Sequence, residues 1–418
     1  MFFLKTQYFS KKIIIESLII SILLSAFIYL AHFNIELKIV DSIIAVLGVF
    51  LLLKASRSVM FFSGFFIGIF WFWWFAISLQ YYDLSYLAPI IILGVALFYG
   101  LSFLALGVFK NLYLKAILIF LYLFFAPFGF DWLKLNLVFI NSYFSSSYLA
   151  FALILIACLI VLKSSLKNLR VVAILPLIFA LNIFEKEHIV EDSDIKIYLS
   201  QFNISQDLRW QKENFAQINK KIFEKIDYAI ENNYDVVVLP ETIFTLVLNE
   251  NYILIDRLLN LSNKIDIVAG SIYKDEFGYF NASYFFSKNQ FEVAKKVVLV
   301  PFGEEIPLPK FFVDLINDLF YGGASDYSKA DKPTDFLIKD SLFRNAICYE
   351  GTNQKIFENL NGVKNMIMIS NNAWFTPSHE PTLQALLLKY YAKKYGLTIY
   401  HVANGSKNMV IKPNYGTK

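Results

Sequence analysis

Residues 58–79 read Ser-Val-Met-Phe-Phe-Ser-Gly-Phe-Phe-Ile-Gly-Ile-Phe-Trp-Phe-Trp-Trp-Phe-Ala-Ile-Ser-Leu, a run of 22 residues without a charged side chain. A helix of this length spans roughly 30 Å, which is the thickness of the hydrocarbon core of a bilayer. A helix that is apolar on every side lies either in a large protein core or in lipid. The run therefore predicts a helix that crosses a membrane.

Six further apolar runs surround this one. They cover 13–31, 39–53, 87–109, 113–130, 147–162 and 171–184. The first is not expected to be a cleaved signal peptide, because similar runs follow it. The run 113–130 contains Pro127, which a buried helix tolerates when its neighbours satisfy the freed backbone groups. Residues 1–184 are therefore predicted to form a bundle of about seven transmembrane helices.

The density of charged residues changes after Phe184. Up to this residue the chain has 12 Lys and Arg and 5 Asp and Glu, whereas the remaining 234 residues have 26 and 29. The second half thus has the charge content of a soluble domain and a net charge of −3. We expect a membrane bundle over 1–184, a linker over 185–193 and a soluble domain over 194–418. Nucleic acid is not expected as a partner, since no basic globular domain is present.

The positions of Lys and Arg predict the orientation in the membrane. Ten of them lie at the N-terminus and in alternate connections between spans, whereas the other connections carry only Lys38 and Lys134. With the N-terminus in the cytoplasm, seven spans place the soluble domain on the periplasmic face of a bacterial inner membrane. The aromatic cluster 71–75 then lies near the outer end of its span, where we interpret its tryptophans as lipid anchors.

The soluble half alternates short apolar runs typical of strands with longer amphipathic stretches typical of helices. The predicted strands are 195–202, 236–239, 267–269, 279–286, 297–300, 345–349, 366–370 and 398–402, and the predicted helices are 215–232, 252–263 and 381–395. This alternation predicts an α/β layered domain.

Three residues at predicted strand ends are candidates for chemistry. Glu241 follows one buried run, Lys296 precedes another, and Cys348 ends a third. A carboxylate can accept a thiol proton, and an ammonium group stabilises both a thiolate and an oxyanion. Each residue alone has an ordinary explanation, since strand-end charges are usually solvated and an unpaired cysteine usually packs as a small hydrophobic residue.

Four motifs occur in this half in a fixed order. They are Leu239-Pro240-Glu241; Lys296 followed by Leu299-Val300-Pro301-Phe302-Gly303-Glu304; Ile347-Cys348-Tyr349-Glu350; and Ile369-Ser370-Asn371-Asn372-Ala373-Trp374-Phe375. In order and spacing they resemble the motifs of the nitrilase superfamily, and behind a membrane bundle they look like those of the apolipoprotein N-acyltransferases. The resemblance implies an αββα sandwich.

The resemblance also implies roles for individual residues. Glu241 would be the general base, Lys296 the oxyanion stabiliser and Cys348 the nucleophile. The supporting positions that it implies are Trp210 near the entrance of the site, Glu304, and Tyr349 and Glu350 beside the nucleophile.

The activity implied by the resemblance is a two-step acyl transfer through a thioester. The donor would be a membrane phospholipid, typically phosphatidylethanolamine, and the acceptor the N-terminal amino group of S-diacylglyceryl-cysteine in an apolipoprotein. We expect membrane lipids as surroundings, a monomer, and neither a cofactor nor a metal. The four histidines, at 32, 188, 379 and 401, show no spacing typical of metal ligands.

Two departures from the family pattern and two rival functions remain. Family members generally continue into a last transmembrane helix, whereas this sequence ends at Lys418. The stretch 386–395 is rich in Lys and Tyr where the family pattern has Arg and Glu, which affects the expected packing around the site. The rivals are a membrane-tethered amidase and a transporter or scaffold with a degenerate nitrilase-like domain.

Overall fold

The computed structural model describes residues 10–164, 170–185, 188, 194–307, 313 and 327–414, so most of the predicted linker lies outside the described residues. The chain forms two compact units. The first contains Met1–Ala126, Asp131–Glu187 and Pro377–Tyr390; the second contains Pro127–Phe130, His188–Thr376 and Tyr391–Lys418. Each unit thus includes at least one segment that is distant in sequence from the rest of the unit. The predicted domains, by contrast, are each one continuous stretch of the chain.

The first unit is helical. Its α-helices are α1 (Lys11–His32), α2 (Lys38–Lys54), α3 (Arg57–Phe72), α4 (Ala88–Leu106), α5 (Leu112–Leu121), α6 (Tyr148–Lys163) and α7 (Ile174–Phe179). Within the described residues, three helical stretches are long and apolar enough to cross a membrane: Lys11–His32, Arg57–Tyr82 and Ser85–Leu106. Shorter apolar helices cover Leu112–Phe124 and Tyr148–Lys163. The total of seven spans stays a prediction.

Two of the predicted spans differ from the structure. In 113–130 the α-helix ends at Leu121, and Phe128 and Gly129 have φ angles of +54° and +80°. Such left-handed residues cannot continue a right-handed helix. In 171–184 the α-helix α7 has only six residues, which is too short to span a bilayer by itself.

The tryptophans of the cluster 71–75 are not all lipid anchors. Trp71 is fully buried and Trp74 is 3% exposed. Their indole nitrogens donate to Ser25 Oγ (3.1 Å) and to the Trp71 carbonyl (2.7 Å). The expectation of a lipid-facing belt is therefore wrong for these two residues, because an indole N–H inside a helical unit can be satisfied by its neighbours.

The second unit contains eleven strands within the described residues. They are β1 (Ile197–Leu199), β2 (Val236–Val238), β3 (Phe244–Val247), β4 (Asp266–Asp275), β5 (Gly278–Ser287), β6 (Gln290–Lys295), β7 (Asp335–Ile338), β8 (Ser341–Ile347), β9 (Asn365–Asn371), β10 (Thr398–Asn404) and β11 (Met409–Ile411). The first sheet has the order β1-β2-β4-β5-β6, with β3 beside β4, and the second has the order β11-β10-β9-β8-β7. Strands β1, β2 and β4 pair in parallel at one side of the first sheet, and β8, β9 and β10 pair in parallel at the centre of the second.

Two apolar cores hold this unit together. Side chains of α9 (Phe215–Glu231) and α10 (Tyr252–Leu261) pack on one face of the first sheet, where they surround Val237. Val236 and Val238 point to the other face and pack with residues of the second sheet, among them Ile347, Ile369 and Val402. Because both faces of β2 are covered, its three valines are completely buried.

The three predicted helices of this half are confirmed, with ends that agree to within about two residues; they are α9, α10 and α11 (Glu380–Tyr395). The sequence did not predict the four-residue helix α8 (Gln206–Arg209). Strands β3, β6, β7 and β11 were also not predicted. The predicted strand 297–300 is wrong, because these residues lie outside the sheets. The reason is a contact with a residue distant in sequence: the backbone N–H groups of Val297 and Val298 donate to the carboxylate of Glu350 (2.8 and 3.2 Å) and not to a neighbouring strand.

Candidate active site

Cys348 lies where β8 ends. The strand stops at Ile347, and Cys348 begins a 3₁₀ turn that runs to Thr352. Its φ angle is +53°, a left-handed conformation that costs a non-glycine residue energy and that is concentrated at functional sites. The Cys348 side chain forms no disulfide within the described residues and is partly buried. The turn thus places the Cys348 side chain at the end of a buried strand.

Glu241 occupies the corresponding place after β2. The turn that carries it packs against Gly270 of β4, where a Cβ atom would lie 2.4 Å from the Thr242 nitrogen and 2.6 Å from the Glu241 Cα. No side chain can be accommodated at that distance, so glycine is required at position 270. The close approach of the two backbones fixes the position of Glu241, which is 6% exposed.

Lys296 directly follows β6 and is fully buried. Its Nζ lies 2.6 Å from Glu304 Oε2 and 3.9 Å from Glu241 Oε1. A buried ammonium group requires such partners, since an unpaired charge in the interior is very costly. The structure therefore brings together two of the predicted catalytic residues and one of the predicted supporting residues.

The electrostatics of the cluster follow from this arrangement. Burial alone would lower the pKa of Lys296, but the charges of Glu304, Glu241 and the Cys348 thiolate raise it above its usual value. The amine is therefore protonated at neutral pH. Burial raises the pKa of Glu241, an effect that Lys296 opposes and Glu304 reinforces. A carboxyl group with a raised pKa is better matched to a general base near neutral pH than an exposed one.

Glu350 connects the segments that carry Cys348 and Lys296. Its Oε1 accepts a hydrogen bond from the Ile347 N–H (2.7 Å), and its Oε2 accepts bonds from the N–H groups of Val297 and Val298. Burial raises the pKa of Glu350 to about 7, and Lys296 and these three donors act in the opposite direction. One carboxyl group thus fixes the backbone next to both Cys348 and Lys296.

Comparisons with known proteins show the family of the chain. The family model described as "Apolipoprotein N-acyltransferase integral membrane domain" matches residues 10–183. The chain is 40% identical over 394 residues to an apolipoprotein N-acyltransferase of Wolinella succinogenes, with 94% of each chain covered. The chain belongs to the apolipoprotein N-acyltransferase family. Relatives with the same name are 36% identical in Campylobacter jejuni (96% of this chain, 90% of the relative) and 37% identical in Helicobacter pylori (89% and 88%).

Membership in the apolipoprotein N-acyltransferase family establishes two coarse properties. The chain is an integral membrane protein, and it belongs to a family of acyltransferase enzymes. Within the described residues, no group of three His, Cys, Asp or Glu side chains is arranged to hold a metal ion.

Asn281 of β5 is a member of the cluster that the sequence analysis missed. Its side-chain Nδ2 donates to Glu241 Oε1 (2.8 Å) and to Glu304 Oε1 (3.0 Å). Its main-chain carbonyl accepts a hydrogen bond from the main-chain N–H of Lys296 (2.9 Å). The side chain thus connects the two carboxylates that surround the ammonium group. The signal in the sequence was a polar residue at an inward-facing position of a buried strand. A buried amide almost always has a hydrogen-bond partner, so this position indicated a polar group nearby.

Replacing Asn281 with leucine should lower kcat/KM for acyl transfer by about 10- to 100-fold, because each hydrogen bond to a charged group is worth about 1.5–3 kcal/mol. Ser283→Ala is the matched control, since Ser283 is buried two residues further along the same strand and its Oγ has no partner among the described residues. Steady-state kinetics with a thermal unfolding curve for each variant measure the effect. Equal losses in both variants would show that Asn281 acts only through the stability of the sheet.

Tyr349 and Trp210, two further predicted site residues, have different surroundings. Tyr349 is buried, its hydroxyl donates to the Gly129 carbonyl (2.7 Å), and its ring stacks on Phe130 at 5.8 Å. The segment Pro127–Phe130 of the second unit therefore contacts the residue that follows Cys348. Trp210 is 51% exposed at the end of α8, and its predicted role stays a prediction.

Proposed function

We propose that this protein transfers an acyl chain from a membrane phospholipid to the α-amino group of the S-diacylglyceryl-cysteine at the N-terminus of apolipoproteins. The observation that carries the proposal is the buried ammonium group of Lys296 between Glu241 and Glu304, beside the strained turn of Cys348. The names of the family relatives support the same reaction.

In the first step, Glu241 accepts the thiol proton of Cys348. The thiolate attacks the carbonyl carbon of the phospholipid ester, and the tetrahedral intermediate collapses to a thioester. The C–O bond of the ester breaks, and the lysophospholipid leaves with the proton that Glu241 held. The products of this half-reaction are an acyl-enzyme and a lysophospholipid, which is the usual pattern of nucleophilic catalysis by cysteine.

In the second step, the amino group of the lipoprotein attacks the thioester carbon. Glu241 accepts a proton from the attacking nitrogen, the C–S bond breaks, and the proton passes to the departing sulfur. Lys296 stabilises the oxyanion in both tetrahedral intermediates, because it is held in a dry environment and stays protonated. The amide product is a triacylated lipoprotein.

The finer features of the proposal concern the location and the substrates. The acyl donor is phosphatidylethanolamine, and the protein acts as a monomer without a cofactor in the bacterial inner membrane. Its N-terminus lies in the cytoplasm and its catalytic domain on the periplasmic face, where both lipid substrates present their reactive atoms near the headgroups. The catalytic domain forms an αββα sandwich. The apolar core to which both of its sheets contribute supports this architecture.

The proposed function is tested with the purified full chain in detergent micelles. Given phosphatidylethanolamine and a diacylated lipopeptide, the protein should produce the triacylated peptide, detected by mass spectrometry as a mass increase of one acyl chain. Small aliphatic amides are the competing substrates. Hydrolysis of these amides together with an unmodified lipopeptide would identify a membrane-tethered amidase, and no reaction with either substrate would favour a scaffold.

A further inference from the structure

A small cavity lies beside the segment that carries Trp210. Its volume is about 190 Å³, and it is lined by Arg209, Trp210, Gln211, Lys212, Phe215 and Thr245. Sites for whole small molecules usually measure about 300–1,000 Å³. The cavity therefore has the size to receive one functional group of a larger ligand.

Arg209 supplies a buried cation to this cavity. The residue is 2% exposed, and its Nη2 donates to the main-chain carbonyls of Glu241 (3.0 Å) and Thr242. Among the described residues, the guanidinium donates no other hydrogen bond, so Nη1 and Nε remain as donors. Burial lowers the pKa of Arg209 to about 10, against the opposing effect of Glu241. The group is still charged at neutral pH, and two of its three nitrogens have no acceptor in the described chain.

The rest of the lining is also suited to an anion. Lys212 is exposed and adds a second positive charge, and none of the six lining residues is acidic. Helix α9 begins at Phe215 with no acidic residue in its first turn and no side-chain cap; the 3₁₀ turn Lys212–Asn214 that precedes it carries Glu213, which is not among the lining residues. The N-terminus of a helix carries a partial positive charge that attracts anions. Trp210 provides a flat and half-exposed wall.

We propose that this cavity binds a phosphate group, and specifically the phosphodiester of the acyl donor, with Arg209 and Lys212 as its cationic contacts. The inference rests on the proposed function, in which the donor is a phospholipid. A guanidinium group matches the oxygens of a phosphate in charge and in geometry. Because Arg209 also binds the carbonyl of Glu241, a phosphate at this site lies next to the turn that carries the general base.

The test compares donors with and without a phosphate. We expect Lys212→Glu to lower the ratio of kcat/KM for phosphatidylethanolamine to kcat/KM for a p-nitrophenyl fatty-acid ester by about tenfold, since the second donor has no phosphate. Lys221→Glu is the matched control, because Lys221 is an exposed lysine of α9 whose replacement changes the net charge equally. An unchanged ratio in Lys212→Glu, or an equal change in both variants, would overturn the proposal.

Competition experiments at constant ionic strength distinguish two ligands for the cavity, the headgroup of the phospholipid donor and free inorganic phosphate. If the donor headgroup is the ligand, soluble glycerophosphoethanolamine should inhibit the reaction with the phospholipid, and Lys212→Glu should weaken that inhibition. Inhibition by inorganic phosphate alone would overturn the assignment to the donor. A failure of the proposed function would give a different result, because the wild-type protein would then form no acyl-enzyme with the p-nitrophenyl ester. Titration of the protein with glycerophosphoethanolamine would still measure binding to the cavity.

Discussion

Cys348→Ser should leave lipoproteins diacylated in cells that have no other N-acyltransferase. A serine hydroxyl is not ionised at neutral pH, and the cluster around Lys296 is arranged to favour a thiolate. We expect the rate of acyl transfer to fall by about a thousandfold or more, as is usual when a covalent nucleophile is lost. The measurement is the mass of the N-terminal lipopeptide released from a membrane lipoprotein.

Cys158→Ser provides the control for this experiment. Cys158 is the other cysteine of the chain and is buried in α6 of the first unit, so its replacement makes the same chemical change at a residue that is not part of the proposed site. Triacylated lipoproteins should persist in this variant. Undiminished triacylation in Cys348→Ser, at an equal amount of protein in the membrane, would refute the assignment of the nucleophile.

Glu241→Gln should lower the rate of acyl transfer by about 100- to 10,000-fold, which is the usual contribution of a general base. The substitution keeps the shape of the side chain and an oxygen that can accept the 2.8 Å hydrogen bond from Asn281. It removes the group that accepts a proton in both steps. The expected loss is therefore in chemistry rather than in folding, and thermal unfolding measured beside the kinetics separates the two.

The pH profile gives an independent reading of Glu241. Below its pKa the carboxyl group is protonated and cannot accept a proton, so the rate should rise with pH through that pKa. Because burial raises the pKa of Glu241, this rise should occur at a higher pH than for an exposed glutamate. Glu241→Gln should abolish the rise, whereas Glu250→Gln, which alters an exposed ion pair with Lys274 (3.1 Å), should preserve it.

The candidate site was predictable in part because its motifs are local. Glu241, Lys296 and Cys348 each stand at the end of an apolar run, and the order of the motifs indicated the family. The structure brings Glu241, Lys296 and Glu304 within ion-pair distance. The strand predicted over 297–300 failed for a non-local reason, since the carboxylate that satisfies Val297 and Val298 belongs to Glu350, more than fifty residues further along the chain.

By itself, the sequence determined the division into an apolar and a charged half, the α/β character of the second half and the motifs that indicate the family. These properties depend on the hydropathy and spacing of neighbouring residues, which are readable along one chain. Only the tertiary structure decided that Asn281 connects two carboxylates, that the segment Pro127–Phe130 contacts Tyr349, and that Arg209 lines a cavity and binds the carbonyl of Glu241. Such contacts join residues that are distant in sequence, and their hydrogen bonds and close packing form only after the chain has folded.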